Sequence, residues 1–205
     1  MKPLESAATS FTKLRNGLLV LTIRHDIIRG VTPPMLAWWF QHLGETMELE
    51  GETFPRYLVW HPVDHIHWEL VRKSPDGGTG KGAYFRIVEA FAAKPEHYVD
   101  SIEYVEKCDE GGLSLVKRVL GMEVFRLEHR FSQVPEGTRY VSRMLVGSRV
   151  PVLGWLFNRF IRPLLFSDES GRAWLRHNIE EVGNFEVFLP ALYYAHMGGD
   201  GAQVR

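Results

Sequence analysis

Trp174, His177, Glu181, Phe185 and Phe188 recur at intervals of three and four, the spacing of one helix face. The stripe is apolar except for an imidazole and a carboxylate one turn apart. Burying a carboxylate costs on the order of several kcal/mol unless a cation or a metal offsets it. Two accounts follow. The pair satisfies itself or a nearby arginine, or it supplies two ligands of one metal ion. A single H-x-x-x-E pair does not decide between them, so any further ligands must come from elsewhere in the chain.

His61-Pro-Val-Asp-His65 is the second informative stretch. On a regular strand His65 and His67 point the same way, with Ile66 opposite. Asp64 is placed to accept a hydrogen bond from a metal-bound imidazole or to sit at the surface. The plainer reading of this stretch is a polar turn before a strand. In Tyr84-Phe-Arg-Ile-Val-Glu89-Ala-Phe91, the side shared by Phe85, Ile87, Glu89 and Phe91 is the more apolar, so Glu89 needs a partner. Glu96 competes for that role from a loop-like Lys-Pro-Glu-His. Together these give His65, Glu89, His177 and Glu181, with Glu96 as the second choice for the strand carboxylate. Mixed imidazole and carboxylate donors suit zinc, and also iron(II) or manganese. Four protein ligands normally close a structural zinc site, so catalysis here requires an expanded shell with a water as fifth ligand.

Stepping from side chains to the elements that carry them, Leu18 to His25 reads as a strand. Thr32-Pro-Pro opens a helix that runs to Leu43 and is closed by Gly44. Tyr57 to Val71 reads as extended, bent at Pro62. Ala83 to Ala90, Tyr98 to Lys107, Leu113 to Val119, Glu123 to Phe131 and Thr138 to Val146 are strand-length runs separated by turn residues, the mark of an antiparallel meander. Val152 to Phe166 and Ser170 to Tyr194 read as helices. A curved sheet gripping a long C-terminal helix is an α+β arrangement with a cavity between its layers. A single domain is expected over 1–205, with an ordered core over about 15–195 and a disordered tail over 197–205.

The net charge of -1 and the absence of a long basic run give no electrostatic case for nucleic acid. Cys108 is the only cysteine, which excludes an intrachain disulfide and a thiolate metal site and fits a cytoplasmic setting. The N-terminus lacks the apolar run of a signal peptide. GGTGKG, within Ser74 to Gly82, does not match the phosphate-loop pattern, and no helix pattern follows it. Gly154 to Pro163 is aromatic and basic. It reads as a lid over the cavity mouth rather than a membrane contact. The oligomeric state is open, a homo-oligomer included.

Thr32-Pro-Pro-Met-Leu-Ala-Trp-Trp-Phe40, Tyr57-Leu-Val-Trp-His-Pro-Val-Asp-His65, Phe85-Arg-Ile-Val-Glu89, Gly137-Thr-Arg-Tyr140 and His177-Asn-Ile-Glu-Glu-Val-Gly-Asn-Phe185 resemble, in this order, the 2,4-diacetylphloroglucinol hydrolase and phloretin hydrolase-like family. The resemblance implies a Bet v 1-like or START-like helix-grip fold. It implies a zinc-dependent hydrolase that cleaves the bond between an acyl group and a phenolic ring of a small aromatic ketone. The family's two-histidine, two-glutamate site falls on His65, Glu89, His177 and Glu181, and its substrate-contacting tyrosines fall on Tyr57 and Tyr140. Asp64 and Glu180 are candidate proton carriers. Where the diacetylphloroglucinol enzyme has an asparagine three residues after its first histidine ligand, this chain has Trp68. With Trp174 it is an expected wall of the substrate cavity. Two competing readings make other predictions. A hydrophobic-ligand carrier of the same fold would pair His177 and Glu181 with cations such as Arg86. A polyketide cyclase or dehydratase would use His and Asp without metal.

Overall fold

The computed structural model describes residues 1–49 and 51–199. Eleven strands lie among them: β1 (Ala7–Lys13), β2 (Leu19–His25), β3 (Ile28–Arg29), β4 (Thr46–Leu49), β5 (Glu52–Pro55), β6 (His65–Arg72), β7 (Tyr84–Ala90), β8 (Tyr98–Asp109), β9 (Gly112–Val119), β10 (Met122–Val134) and β11 (Gly137–Val146). The β4–β5 hairpin stands apart. The other nine form one sheet in the order β1-β2-β11-β10-β9-β8-β7-β6, with β3 beside β11. Among the described residues every pairing in this sheet is antiparallel. The helices are α1 (Pro33–Gln41), α2 (Arg56–Trp60), α3 (Leu153–Leu156), α4 (Arg162–Leu165) and α5 (Asp168–Gly199).

Alternation explains what the sheet grips. Leu19, Leu21 and Ile23 of β2, with Met144 and Val146 of β11, pack on Trp174 and Ile179 of α5. Farther along α5, Phe185 and Leu189 close with Trp39 and Phe40 of α1 over Phe85, Leu113 and Leu115 of the sheet. The expected apolar helix stripe is therefore the inner face of α5, and His177 and Glu181 are buried within it.

Several local expectations change. The sheet gains β1, an edge strand with mostly exposed side chains and hence no apolar alternation to betray it. The segment starting at Tyr57 is one helical turn, α2, rather than extended chain, with the turn at Pro62 following it. Thr32 occupies the N-cap position of α1 without a capping side-chain bond, and α1 ends at Gln41. The helix expected over Val152 to Phe166 is broken into α3, a π-helical turn Phe157–Ile161 and α4. The long helix runs through Pro190 to Gly199. The disordered tail expected over 197–205 thus begins inside α5, and its residues 200–205 lie outside the described residues.

The expectation that His65 and His67 share a side is overturned. His65 pairs with Glu89 but His67 pairs with Val88, because Ile66 is an extra residue at a bulge. A bulge shifts the alternation by one. His67 therefore faces solvent, while Trp68 and Leu70 turn toward the core.

Candidate metal centre

α2 is fastened to α5 before any chemistry is considered. Trp60 Nε1 donates to the Glu181 carbonyl at 2.9 Å, and Asn184 Nδ2 donates to the Trp60 carbonyl at 2.9 Å. The Pro62 turn then delivers Asp64 and His65 beside the last residues of β7.

Four side chains converge there. His65 Nε2 lies 3.5 Å from Glu89 Oε1 and 3.4 Å from Glu181 Oε2. His177 Nε2 lies 3.9 Å from Glu89 Oε2 and 3.6 Å from Glu181 Oε2. Glu96, the competing carboxylate, sits in an exposed turn away from this cluster.

The outer nitrogens of both imidazoles are already engaged. His65 Nδ1 donates to the Tyr57 carbonyl at 2.6 Å, and His177 Nδ1 donates to Asp64 Oδ2 at 3.0 Å. Donation from Nδ1 leaves a lone pair on each neutral ring's Nε2, turned toward the two carboxylates. His65 Nε2 is buried without a hydrogen-bond partner. An unpartnered buried nitrogen needs an explanation, and a cation held by His65, Glu89 and His177, whose ligand atoms lie within 4.8 Å of one another, provides one, with Glu181 beside both imidazoles. The donor set and its backing bonds fit a metal ligand shell.

Electrostatics agree. Burial lowers the pKa of His65, and it lowers that of His177 to about 3, so both rings are neutral at pH 7, the form that binds metal. Burial raises Glu181 to about 8 and Glu89 to about 7, with Glu181 adding its like charge to the Glu89 shift. A divalent cation at this point would favour the ionised form of both carboxyls.

Of the two roles expected for Asp64, imidazole acceptor and proton carrier, the geometry favours the first, with His177 as the imidazole. Its carboxylate accepts Ala92 N–H at 3.0 Å, Ala93 N–H at 3.1 Å and the His177 ring. Burial opposes its ionisation, but these bonds prevail and hold it at about 2. A buried carboxylate so committed, and absent from the cavity lining, is placed to orient His177. Ala92 and Ala93 adopt φ of 58° and 52°, a left-handed conformation that side chains other than glycine's rarely take. Their N–H groups are thereby aimed at Asp64.

His61 was not among the expected ligands, yet it is buried behind the centre. It accepts Asp64 N–H at 3.1 Å and lies 3.3 Å from Glu180 Oε2. His61, Asp64 and His177 form a second metal-capable group. Asp64 already engages His177 there through Nδ1, so the Nε2 side with Glu89 and Glu181 is the better metal position.

The centre occupies one wall of a cavity of about 490 Å³. Tyr57, Trp68 and Trp174 line it as expected. The Tyr57 ring stacks on His65, with centroids 3.9 Å apart, and its hydroxyl donates to Glu89. Tyr140 is fully buried among His25, His129 and Phe131 rather than on the cavity wall, and its hydroxyl has no partner. Phe157, Leu164 and Leu165 line the cavity from the α3–α4 segment, the position expected of a lid. Among the described residues no helix is long and apolar enough to cross a membrane.

The architecture is the Bet v 1/START-like helix grip: a large curved antiparallel sheet closed by a C-terminal helix. The solved KanY protein is similar at a TM-score of 0.50 and 9% identity, covering 90% of this chain and 95% of its own. Ara h 8.0201 gives 0.49 at 10% identity, covering 90% and 96%. A START superfamily protein from Mycobacterium smegmatis gives 0.47 at 14% identity, covering 82% and 94%. At such identities the likeness concerns the fold alone. No curated protein matches the sequence. The family model described as the DAPG hydrolase PhiG domain matches residues 3–194, nearly the whole chain, and the chain belongs to that hydrolase family.

Proposed function

We propose that the protein is a zinc-dependent hydrolase that cleaves the carbon-carbon bond between an acyl group and a phenolic ring, releasing a carboxylic acid. The observation that carries this reading is the convergence of His65, Glu89, His177 and Glu181 on the wall of a largely apolar cavity. Those four residues would hold the ion, with iron(II) or manganese as lesser fits. When bound, zinc supplies a hydroxide near neutral pH and polarises a carbonyl oxygen.

The reaction balances as the addition of water across the aryl–acyl bond. Hydroxyl joins the acyl carbon, the carbon-carbon bond breaks, and a proton ends on the ring carbon. A ring hydroxyl ortho or para to the acyl group lets that carbon be protonated through a keto tautomer. The leaving group is then a stabilised phenolate rather than an aryl anion.

The chain supplies orientation and dryness. Burial raises the Tyr57 pKa well above its ordinary value, with Glu89 adding to the shift, so its hydroxyl stays protonated and donates. It donates to Glu89 now and is within the cavity wall where a substrate oxygen would compete for it. Tyr140, buried off the cavity wall, is left out of substrate contact in this reading, so Tyr57 is the one tyrosine donor. Trp68 and Trp174 flank the ring and exclude water. Asp64 fixes the His177 ring.

Metal analysis after purification without chelator tests the centre. Near-stoichiometric zinc is expected in the wild type and little in His177→Ala. A wild type that neither contains nor takes up metal refutes the reading. Incubation with acylphloroglucinols should release a carboxylic acid, and a metal-loaded protein that releases none refutes the reaction.

A further inference from the structure

The cavity contains a second polar feature that the metal centre does not use. On β8, Ser101, Glu103 and Val105 alternate onto the buried inner face. Ser101, Glu103 and Lys117 of β9 line the same cavity as Glu89 and Glu181, among Phe85, Leu113 and Leu115. Lys117 Nζ donates to Ser101 Oγ at 3.0 Å, and the Ser101 hydroxyl is beside the Glu103 carboxyl. Among the described residues no salt bridge neutralises Glu103. A carboxyl buried in an apolar wall with so little support is costly, and an apolar residue there would pack at no such cost.

Its position relative to the centre is suggestive of size. Glu103 faces Phe85 across the β7–β8 pair, and Glu89 lies four residues along β7, about 13 Å of strand. Two glutamate side chains reaching inward from those points leave room for one acylated aromatic ring between them.

We infer that Glu103, backed by Ser101 and Lys117, is a binding subsite for the ring hydroxyl farthest from the acyl group. This rests on the reading of the cavity as an acylphloroglucinol site and adds to it the residue that receives the para hydroxyl. The carboxyl side chain pairs with that hydroxyl and sets the ring's rotation in the cavity. A ring bound in any other rotation would leave Glu103 with only Ser101 and Lys117 beside it.

The test reads binding rather than turnover. The metal-loaded protein is titrated with 2,4,6-trihydroxyacetophenone and with 2,6-dihydroxyacetophenone, followed by tryptophan fluorescence. The wild type should favour the trihydroxy compound about tenfold, the worth of one good hydrogen bond to a carboxyl. Glu103→Leu should erase the preference, and Glu103→Gln, which keeps the shape, should retain part of it. All three should carry equal metal. Equal wild-type affinity for the two compounds, no binding of either, or an undiminished preference in Glu103→Leu overturns the inference. So does loss of metal from Glu103→Gln, which would assign the residue to the centre instead. A protein that shows the preference but releases no acid refutes the hydrolase reading and leaves this subsite standing.

Discussion

The two candidate imidazole ligands differ in what secures them. His65 is held by a backbone carbonyl and a stacked tyrosine ring, whereas His177 depends on one carboxylate. Replacing Asp64 with Asn keeps the size but weakens that acceptor and leaves a mismatched amide near Ala92 and Ala93. Metal affinity should fall about 10–100-fold, the range seen when such backing groups are changed, as read by chelator competition. Tyr57→Phe should leave metal content unchanged and lower kcat/KM at least about tenfold, the loss of one substrate donor. Part of this was legible in the sequence. Helical spacing put His177 and Glu181 on one face, and apolar alternation singled out Glu89. The sequence offered Asp64 as an imidazole acceptor, but neither its choice of His177 nor the role of His61 was legible. They depend on two alanines in left-handed backbone and on where a one-turn helix docks, and neither leaves a periodic trace.

At the scale of elements, two buried polar side chains hold the α3–α4 segment: Arg162, paired with Asp168 at 2.6 Å, and Asn158. Asn158 is buried and makes paired bonds to Ser148, accepting its N–H at 2.7 Å and donating to its carbonyl at 2.8 Å. Leu153, Phe160, Leu164 and Leu165 are more than half exposed, so the segment buries only part of its apolar surface. Asn158→Ala removes both bonds and strands two backbone groups, at a cost of about 2–4 kcal/mol. Limited proteolysis should then cut first between residues 149 and 166, and a pattern unchanged from wild type would show that Asn158 does not anchor the segment. The sequence presented this stretch as one apolar helix because its apolar residues run through it, although Gly154 and Pro163 interrupt it. The π-helical turn brings Phe157 to the cavity, and Val152 before α3 has a positive φ. β1 escaped notice for the opposite reason, since an edge strand with exposed side chains has no buried face to mark it.

For the whole molecule, the meander and the gripped helix followed from alternation and turn residues, which local chemistry writes directly into the chain. Stability toward acid depends instead on groups that only the folded sheet brings together. His129 of β10 bonds to Ser142 Oγ at 3.0 Å, and Ser142 also meets His25 at 3.0 Å. Burial lowers the His129 pKa from 6.5 to about 3. The folded protein thus keeps His129 neutral where the unfolded chain takes a proton. Its contribution is fully present above pH 6.5 and is lost as pH falls toward 3, at up to about 1.4 kcal/mol per pH unit. Urea melts between pH 7 and 4 should show a shallower decline for His129→Asn than for the wild type. His25 shares Ser142 and is itself lowered to about 3, so the difference reads His129 together with its coupling to His25, and parallel declines would disprove the assignment.

The extra residue at Ile66 gives β6 an odd parity. Count back by one, as a single deletion there would, and the strand can no longer turn both His65 and Trp68 inward. Restored to even spacing, it would have to surrender either a grip on the ion or a wall of the chamber. Insertions and deletions at this position are therefore expected to inactivate where most substitutions of Ile66, which projects into water, are harmless.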